Sequence, residues 1–272
     1  MTFEIFDSTN PKWSEIFLNF DIEEQDVFYS AEYAQASKAT IDSHHRVLCA
    51  SQQTDTSSFL YPFIQRDINQ IVPEGIAQGW FDVVSLYGRG GIVGSYKNSS
   101  DLLKFHDEFT YYARENQIVC GFDRLHPILE NHRIAPKNSK VFNVGNFVVI
   151  DLRPTIDDIF ATFKHRQRKA IRKAINNNIT TFDESDLTHL DHFLEIYHST
   201  LSRQNALDYY YFEKQFYQTL MQLGQDSFKF FYASLDNNII SCELVLYGGK
   251  YCHSFFGGTL KEFLHLHILR TQ

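Results

Sequence analysis

Two periods of apolar spacing alternate along this chain, and the switch between them marks its elements. Arg46 to Ser51 (RVLCAS) and Ser58 to Ile64 (SFLYPFI) are short apolar runs parted by the polar QQTDTS, which predicts a strand, turn, strand unit. Ahead of them, Asp26 to Lys38 (DVFYSAEYAQASK) reads as a short helix. Phe81 to Leu86 (FDVVSL) predicts a third strand, running into the glycine-rich turn Tyr87-Gly88-Arg89-Gly90-Gly91. From Ser99 to Asn116 the period changes: Leu102, Leu103, Phe105, Phe109, Tyr112 and Ala113 make one apolar stripe, the spacing of an amphipathic helix. A strand from Ile118 to Leu125 follows and stops at His126-Pro127.

The second half repeats this alternation. Val141 to Asp151 (VFNVGNFVVID) predicts a strand, and Ile156 to Asn177 a helix that the polar Asn176-Asn177-Asn178 ends. Helices over Leu190 to Arg203 and Tyr211 to Leu223 precede three strands, Phe228 to Ser234, Ile239 to Tyr247 and Tyr251 to Phe256. Asp236-Asn237-Asn238 supplies the hairpin turn between the first two. RVLCASQQTDTSSFLYPFI and FKFFYASLDNNIISCELVLYG share one plan: apolar strand, polar loop, returning strand. The expected architecture is therefore α+β: two lobes, each a mixed, mostly antiparallel sheet flanked by helices, with a boundary at LRPTIDD dividing 1–153 from 154–272.

Composition narrows the classes. With 272 residues, 25 Phe and 15 Tyr, the chain has enough apolar bulk for two cores. A formal charge of -8 argues against a protein coated in basic surface for duplex nucleic acid or anionic lipid, so any polyanion site must be local. The start, MTFEIFDSTNPKWSEIF, lacks a basic stretch followed by an apolar one, and nowhere do about 18 apolar residues run together. The expectation is a cytoplasmic protein without a membrane span. Cys49, Cys120, Cys242 and Cys252 stand singly, which predicts buried free thiols. His44-His45 and His265-x-His267 lack acidic or thiol partners at ligand spacing, so no metal is expected.

Three segments, in this order, resemble the Fem-like branch of the GNAT acyltransferase superfamily. They are FLYPFIQRDI with FDVVSLYGRGG; DDIFATFKHRQRKAIRKAINNNI; and YHSTLSRQNALDYYYFEKQFY with YCHSFFGGT. The resemblance implies two GNAT-like lobes, an activated carboxyl donor, and an amine acceptor on a cell-envelope precursor of peptidoglycan or surface polysaccharide. In bridge-forming members the donor is an aminoacyl-tRNA and the acceptor a nucleotide-linked or lipid-linked muropeptide. Many of those members place an acidic residue before the proline that here follows His126, in FDRLHPILEN. The family also carries a closing strand and a Phe-Lys pair near its C-terminus. This chain ends at Gln272 before such a pair, so its second lobe is expected to be incomplete relative to the family.

Candidate chemistry follows from residue type and place. Six Lys or Arg residues plus His165 lie between Lys164 and Lys173, while Phe163, Ala170, Ile171, Ala174 and Ile175 share the other face, so the helix is expected to be anchored on one side and cationic on the other. Lys164, Arg166, Arg168 and Arg172 would neutralise phosphates of a nucleotide sugar, CoA or a tRNA acceptor end. Arg203, at the end of a helix, corresponds by resemblance to an arginine that holds acceptor phosphate. Tyr210 and its neighbours would flank a sugar or base, and the turn with Tyr87 and Arg89 suits an anion. For proton transfer during aminolysis the candidates are His126, Glu243 and His253. No cofactor is expected to stay bound; the acyl donor is aminoacyl-tRNA or acyl-CoA. No segment matches the pyrophosphate loop [RQ]-x-x-G-x-[GA] of acetyl-CoA enzymes. Three readings remain: a Fem-like transferase in peripheral contact with a lipid-linked precursor, a CoA-dependent N-acyltransferase on a sugar amine or small metabolite, and a non-catalytic polyanion-binding module.

Overall fold

A computed structural model describes residues 2–41, 44–70, 72–73, 75–76 and 78–266. His267 and Gln272 lie outside the described residues. The chain divides into two compact units, each holding one sheet flanked by helices. The first takes 1–142 with 215–223 and 247–251; the second takes 143–214, 224–246 and 252–272.

The first unit holds six strands: β1 (Thr2–Asp7), β2 (Arg46–Gln53), β3 (Ser57–Asp67), β4 (Phe81–Val84), β5 (Val93–Tyr96) and β6 (Ile118–Phe122). Their order is β1-β2-β3-β4-β6, with β5 also on β3. Among the described residues these strands pair antiparallel, except β4 with β6, which are parallel. β2 is buried on both faces from Val47 to Gln52, so helices must cover each side. On one side α3 (Ser99–Glu115) sets Phe105 among Leu48, Ala50, Phe59, Tyr61 and Phe63, as the stripe predicts. Elsewhere α1 (Pro11–Leu18) buries Trp13, whose Nε1–H donates to the Tyr29 carbonyl at 2.8 Å. The expected helix from Asp26 to Lys38 is broken at Ser30, which caps α2 (Ala31–Lys38) by accepting from Tyr33 N–H and leaves a separate single turn at Val27–Tyr29.

The second unit holds β7 (Thr180–Glu184), β8 (Phe228–Leu235), β9 (Asn238–Gly248) and β10 (Tyr251–Thr259), ordered β10-β9-β8-β7. Between β8 and β9 the register Leu235 with Asn238 leaves a two-residue turn, Asp236-Asn237, both at positive φ. That is the hairpin geometry for which short polar residues are suited. Helix α6 (Leu190–Arg203) buries Phe193, Ile196, Tyr197 and Leu201; Phe193 meets Phe230 edge-on at 5.0 Å and Tyr197 lies 4.9 Å from Phe256. The helix expected from Tyr211 begins later, as α7 (Lys214–Leu220).

Four expectations need correction. Val141 to Asp151 forms no strand: its residues are all exposed and it is assigned no regular secondary structure. The helix from Ile156 to Asn177 is two, α4 (Ile156–Thr162) and α5 (His165–Asn176), because Phe163 and Lys164 adopt extended backbone between them. The apolar stripe of α5 is not anchored, since none of its twelve residues is buried. Of the four thiols, which are all free, Cys120 and Cys252 are exposed rather than buried.

Candidate active site

The second unit builds its site on the hairpin face that α6 does not cover. Along β9, Ile240, Cys242, Leu244 and Leu246 are buried with α6, so period-two alternation turns Glu243 to the other face, opposite Phe231 of β8. The Ser254 hydroxyl of β10 donates to Glu243 Oε1. Oε2 is buried and has no hydrogen-bond partner among the described residues. Burial pushes the Glu243 carboxyl up to about 7, against the opposing pull of the Ser254 hydrogen bond. A carboxylate titrating there can both accept and return a proton at neutral pH.

Gly257 and Gly258 make this arrangement fit. A Cβ on Gly257 would lie 2.3 Å from Glu243 Oε2, and one on Gly258 would lie 2.5 Å from Thr200 Oγ1 and 3.0 Å from the Ile196 carbonyl of α6. The pair is thus held between Glu243 on one side and α6 on the other. Thr200 donates to the Ile196 carbonyl and accepts from Arg203 Nη2 at 3.2 Å, while Arg203 Nη1 is buried without a hydrogen-bond partner among the described residues. Gly258→Ala is expected to cost about 1–3 kcal/mol by pressing on the α6 backbone, read as a lower urea midpoint. Gly257→Ala is expected to displace the Glu243 carboxylate and, with its Cβ 2.9 Å from the Cys242 carbonyl, to press on the β9 backbone as well.

The other predicted residues fall as follows. His253 is buried on β10, next to Ser254. Tyr210 ends a single turn, Asp208–Tyr210, with its ring 4.0 Å from that of Tyr209, and its carbonyl accepts from the Tyr197 hydroxyl. On α5, Arg168 donates to the carbonyls of Ala161 and Phe163, and Arg172 lies over the Phe160 ring at 5.5 Å, so both tie α5 to α4. Lys164 and Arg166 are exposed.

In the first unit, His126 is fully buried. Its Nδ1 accepts from Leu129 N–H at 3.1 Å, which leaves the proton on Nε2, 3.2 Å from Asp26 Oδ2. Both ring nitrogens therefore hold the loop after β6. The glycine-rich turn is held by Tyr33, whose hydroxyl donates to the Tyr87 carbonyl, and by Tyr29 and Asn131, which donate to the Gly90 carbonyl. Gly90 forms a parallel bridge with Leu125 and its N–H donates to the Arg124 carbonyl, which brings Arg89 and Arg124 alongside each other. Arg124 sits over the Tyr87 ring at 5.8 Å. Burial holds the Arg89 guanidinium below its usual range, and the Arg124 charge adds to this. Two arginines so placed can share one anion. Burial also raises the nearby Asp123 carboxyl, which accepts from the Tyr61 hydroxyl, to about 6.

Arg124, Ser254, Thr200 and the two glycines were not singled out by sequence reasoning. The YCHSFFGGT segment was the available signal for Ser254 and the glycines; nothing local points to Arg124.

Residues 147–269 match the FemAB-like family model, described as peptidoglycan biosynthesis/recognition. Over that stretch the chain is similar to that family. The matched segment includes Glu243, Ser254, Gly257, Gly258, Thr200 and Arg203, together with α5. No curated protein sequence matches the chain. One solved structure that it resembles is the C-terminal domain (DUF2156) of a protein described as a lysylphosphatidylglycerol synthetase from Agrobacterium fabrum. The identity is 12% over 92% of this chain and 68% of that one, with a TM-score of 0.49. An overlap of that size assigns no activity. Among the described residues no helix is long and apolar enough to cross a membrane.

Proposed function

We propose that this chain is an amide-forming acyltransferase of cell-envelope synthesis in which Glu243 is the proton acceptor. The acceptor amine attacks the carbonyl carbon of an ester or thioester; the new C–N bond forms and the C–O or C–S bond breaks. Glu243 takes the proton that the nitrogen must lose and returns it to the leaving alkoxide or thiolate. The observation that carries this reading is a buried carboxylate, poised near neutrality with one oxygen unpartnered, inside the FemAB-like segment. Arg203, whose buried Nη1 has no hydrogen-bond partner among the described residues, suits an acceptor phosphate. The family description, peptidoglycan biosynthesis/recognition, supports a muropeptide acceptor, and we take the donor to be aminoacyl-tRNA in preference to acyl-CoA.

Incubating the protein with charged tRNA or with acyl-CoAs of several lengths, each with a nucleotide-linked muropeptide, tests it by mass spectrometry and thermal shift. An acceptor heavier by one aminoacyl residue is expected only with charged tRNA. Amide formation from acyl-CoA would move the donor to the CoA class, and no product from any donor would overturn the transferase reading.

A further inference from the structure

The exposed basic helix and the apolar stretch before it belong to one surface chemistry, and the geometry points to a docking face for an anionic bilayer made by α5 and residues 144–156. This inference stands apart from the transfer reaction. On α5, Ile171 is 38% and Ile175 65% exposed; four residues apart, they lie on one stripe. Arg168 and Arg172 border that stripe, Arg166 and Lys169 are exposed elsewhere on the helix, and Lys173 donates to the His265 carbonyl at 2.9 Å. From Ile159 to Phe182 there is no Asp or Glu, in a chain whose net charge is -8. The preceding stretch adds Val144, Val148, Val149, Leu152 and Ile156, each more than 60% exposed.

Single exposed aliphatics are ordinary, but this density of them is not. A nucleic acid would neutralise the cations and leave the valines and isoleucines in water. An apolar protein groove would cover the aliphatics and gain nothing from six cations without a nearby carboxylate. The headgroup and acyl boundary of an anionic membrane satisfies both, with apolar side chains inserted and cations at the phosphate level. Arg168 and Arg172 keep α4 and α5 fixed through their contacts with Ala161, Phe163 and Phe160, so the face is formed before it binds.

The test is co-sedimentation of the whole protein with vesicles of phosphatidylcholine alone and with vesicles enriched in phosphatidylglycerol. Binding is expected only to the second, weakening as salt rises. R166Q with K169Q is expected to lose about thirtyfold in partitioning, at roughly fivefold per cation near an anionic surface. I171S with I175S, which alters no buried residue, is expected to lose about tenfold or more; unchanged melting temperatures confirm that both variants fold. No binding to the anionic vesicles overturns the proposal. So does binding that survives I171S with I175S. Binding of uncharged tRNA that competes fully with vesicles, and is lost in the charge variant alone, assigns the helix to a soluble polyanion and overturns it as well.

Discussion

Glu243→Gln is expected to lower the rate of amide formation by about 10²–10⁴-fold while making the protein more stable above neutral pH. The two effects share one cause. Glu243 is disfavoured as a carboxylate because burial strips its charge of solvation and its Oε2 meets no donor among the described residues, and that same burial lifts its pKa to about 7. The folded state therefore binds the proton more tightly than the unfolded chain, whose carboxyl titrates near 4.5. Stability from this group is fully present below the unfolded value and is lost as pH rises through about 7. By linkage the loss is about 3 kcal/mol at pH 8. Glutamine has no charge to desolvate, so the stability gap between pH 5 and pH 8 narrows in the variant, measured by urea denaturation. Activity of the unaltered protein rises along a limb centred near pH 7 as the base ionises. A variant that keeps full turnover removes Glu243 from the mechanism, whatever happens to the stability.

Phe105→Ala is expected to destabilise the first unit by about 3–5 kcal/mol, a fall in folding equilibrium of roughly a hundredfold to a few thousandfold. Phe105 is fully buried on α3, stacked on Phe59 at 5.2 Å and tilted against Phe3 at 5.8 Å. Those rings belong to β3 and β1, so one side chain joins the helix to two strands of the sheet. Its removal opens a cavity that neighbouring aromatics cannot fill without leaving their rotamers. Urea unfolding reports the change as a lower midpoint. Phe105→Leu, which refills most of the space, recovers most of the loss.

What the sequence discloses is local, and the residues it misses are set by contacts distant along the chain. The strands RVLCAS, SFLYPFI and FKFFYAS were legible because each is apolar enough to be buried whatever lies beside it. VFNVGNFVVID has the same composition, yet forms no strand, since a strand needs a neighbouring edge that composition cannot provide. TFEIFD does have such an edge, on β2, but its short alternation between charged residues gave no clear signal. The break between α4 and α5 carries neither Pro nor Gly; Arg168 fixes it by bonding two carbonyls upstream. Glu243 could be picked out as a carboxylate within an apolar strand. Its partner Ser254 could not, because only the register of β9 with β10 makes them meet. Arg124 joins Arg89 through a parallel bridge between segments more than thirty residues apart.

The Asp236-Asn237 turn also sets an order of events. Two residues are the shortest loop that can close an antiparallel pair, and hairpins of this kind form in about 1–10 μs. β7 must meet β8 across the whole of α6 and α7, at a much larger loop-closure cost. The hairpin that carries Glu243 thus precedes its outer strand in folding. Pulsed hydrogen exchange during refolding should protect amides of β8 and β9 before those of β7; simultaneous protection would contradict this order.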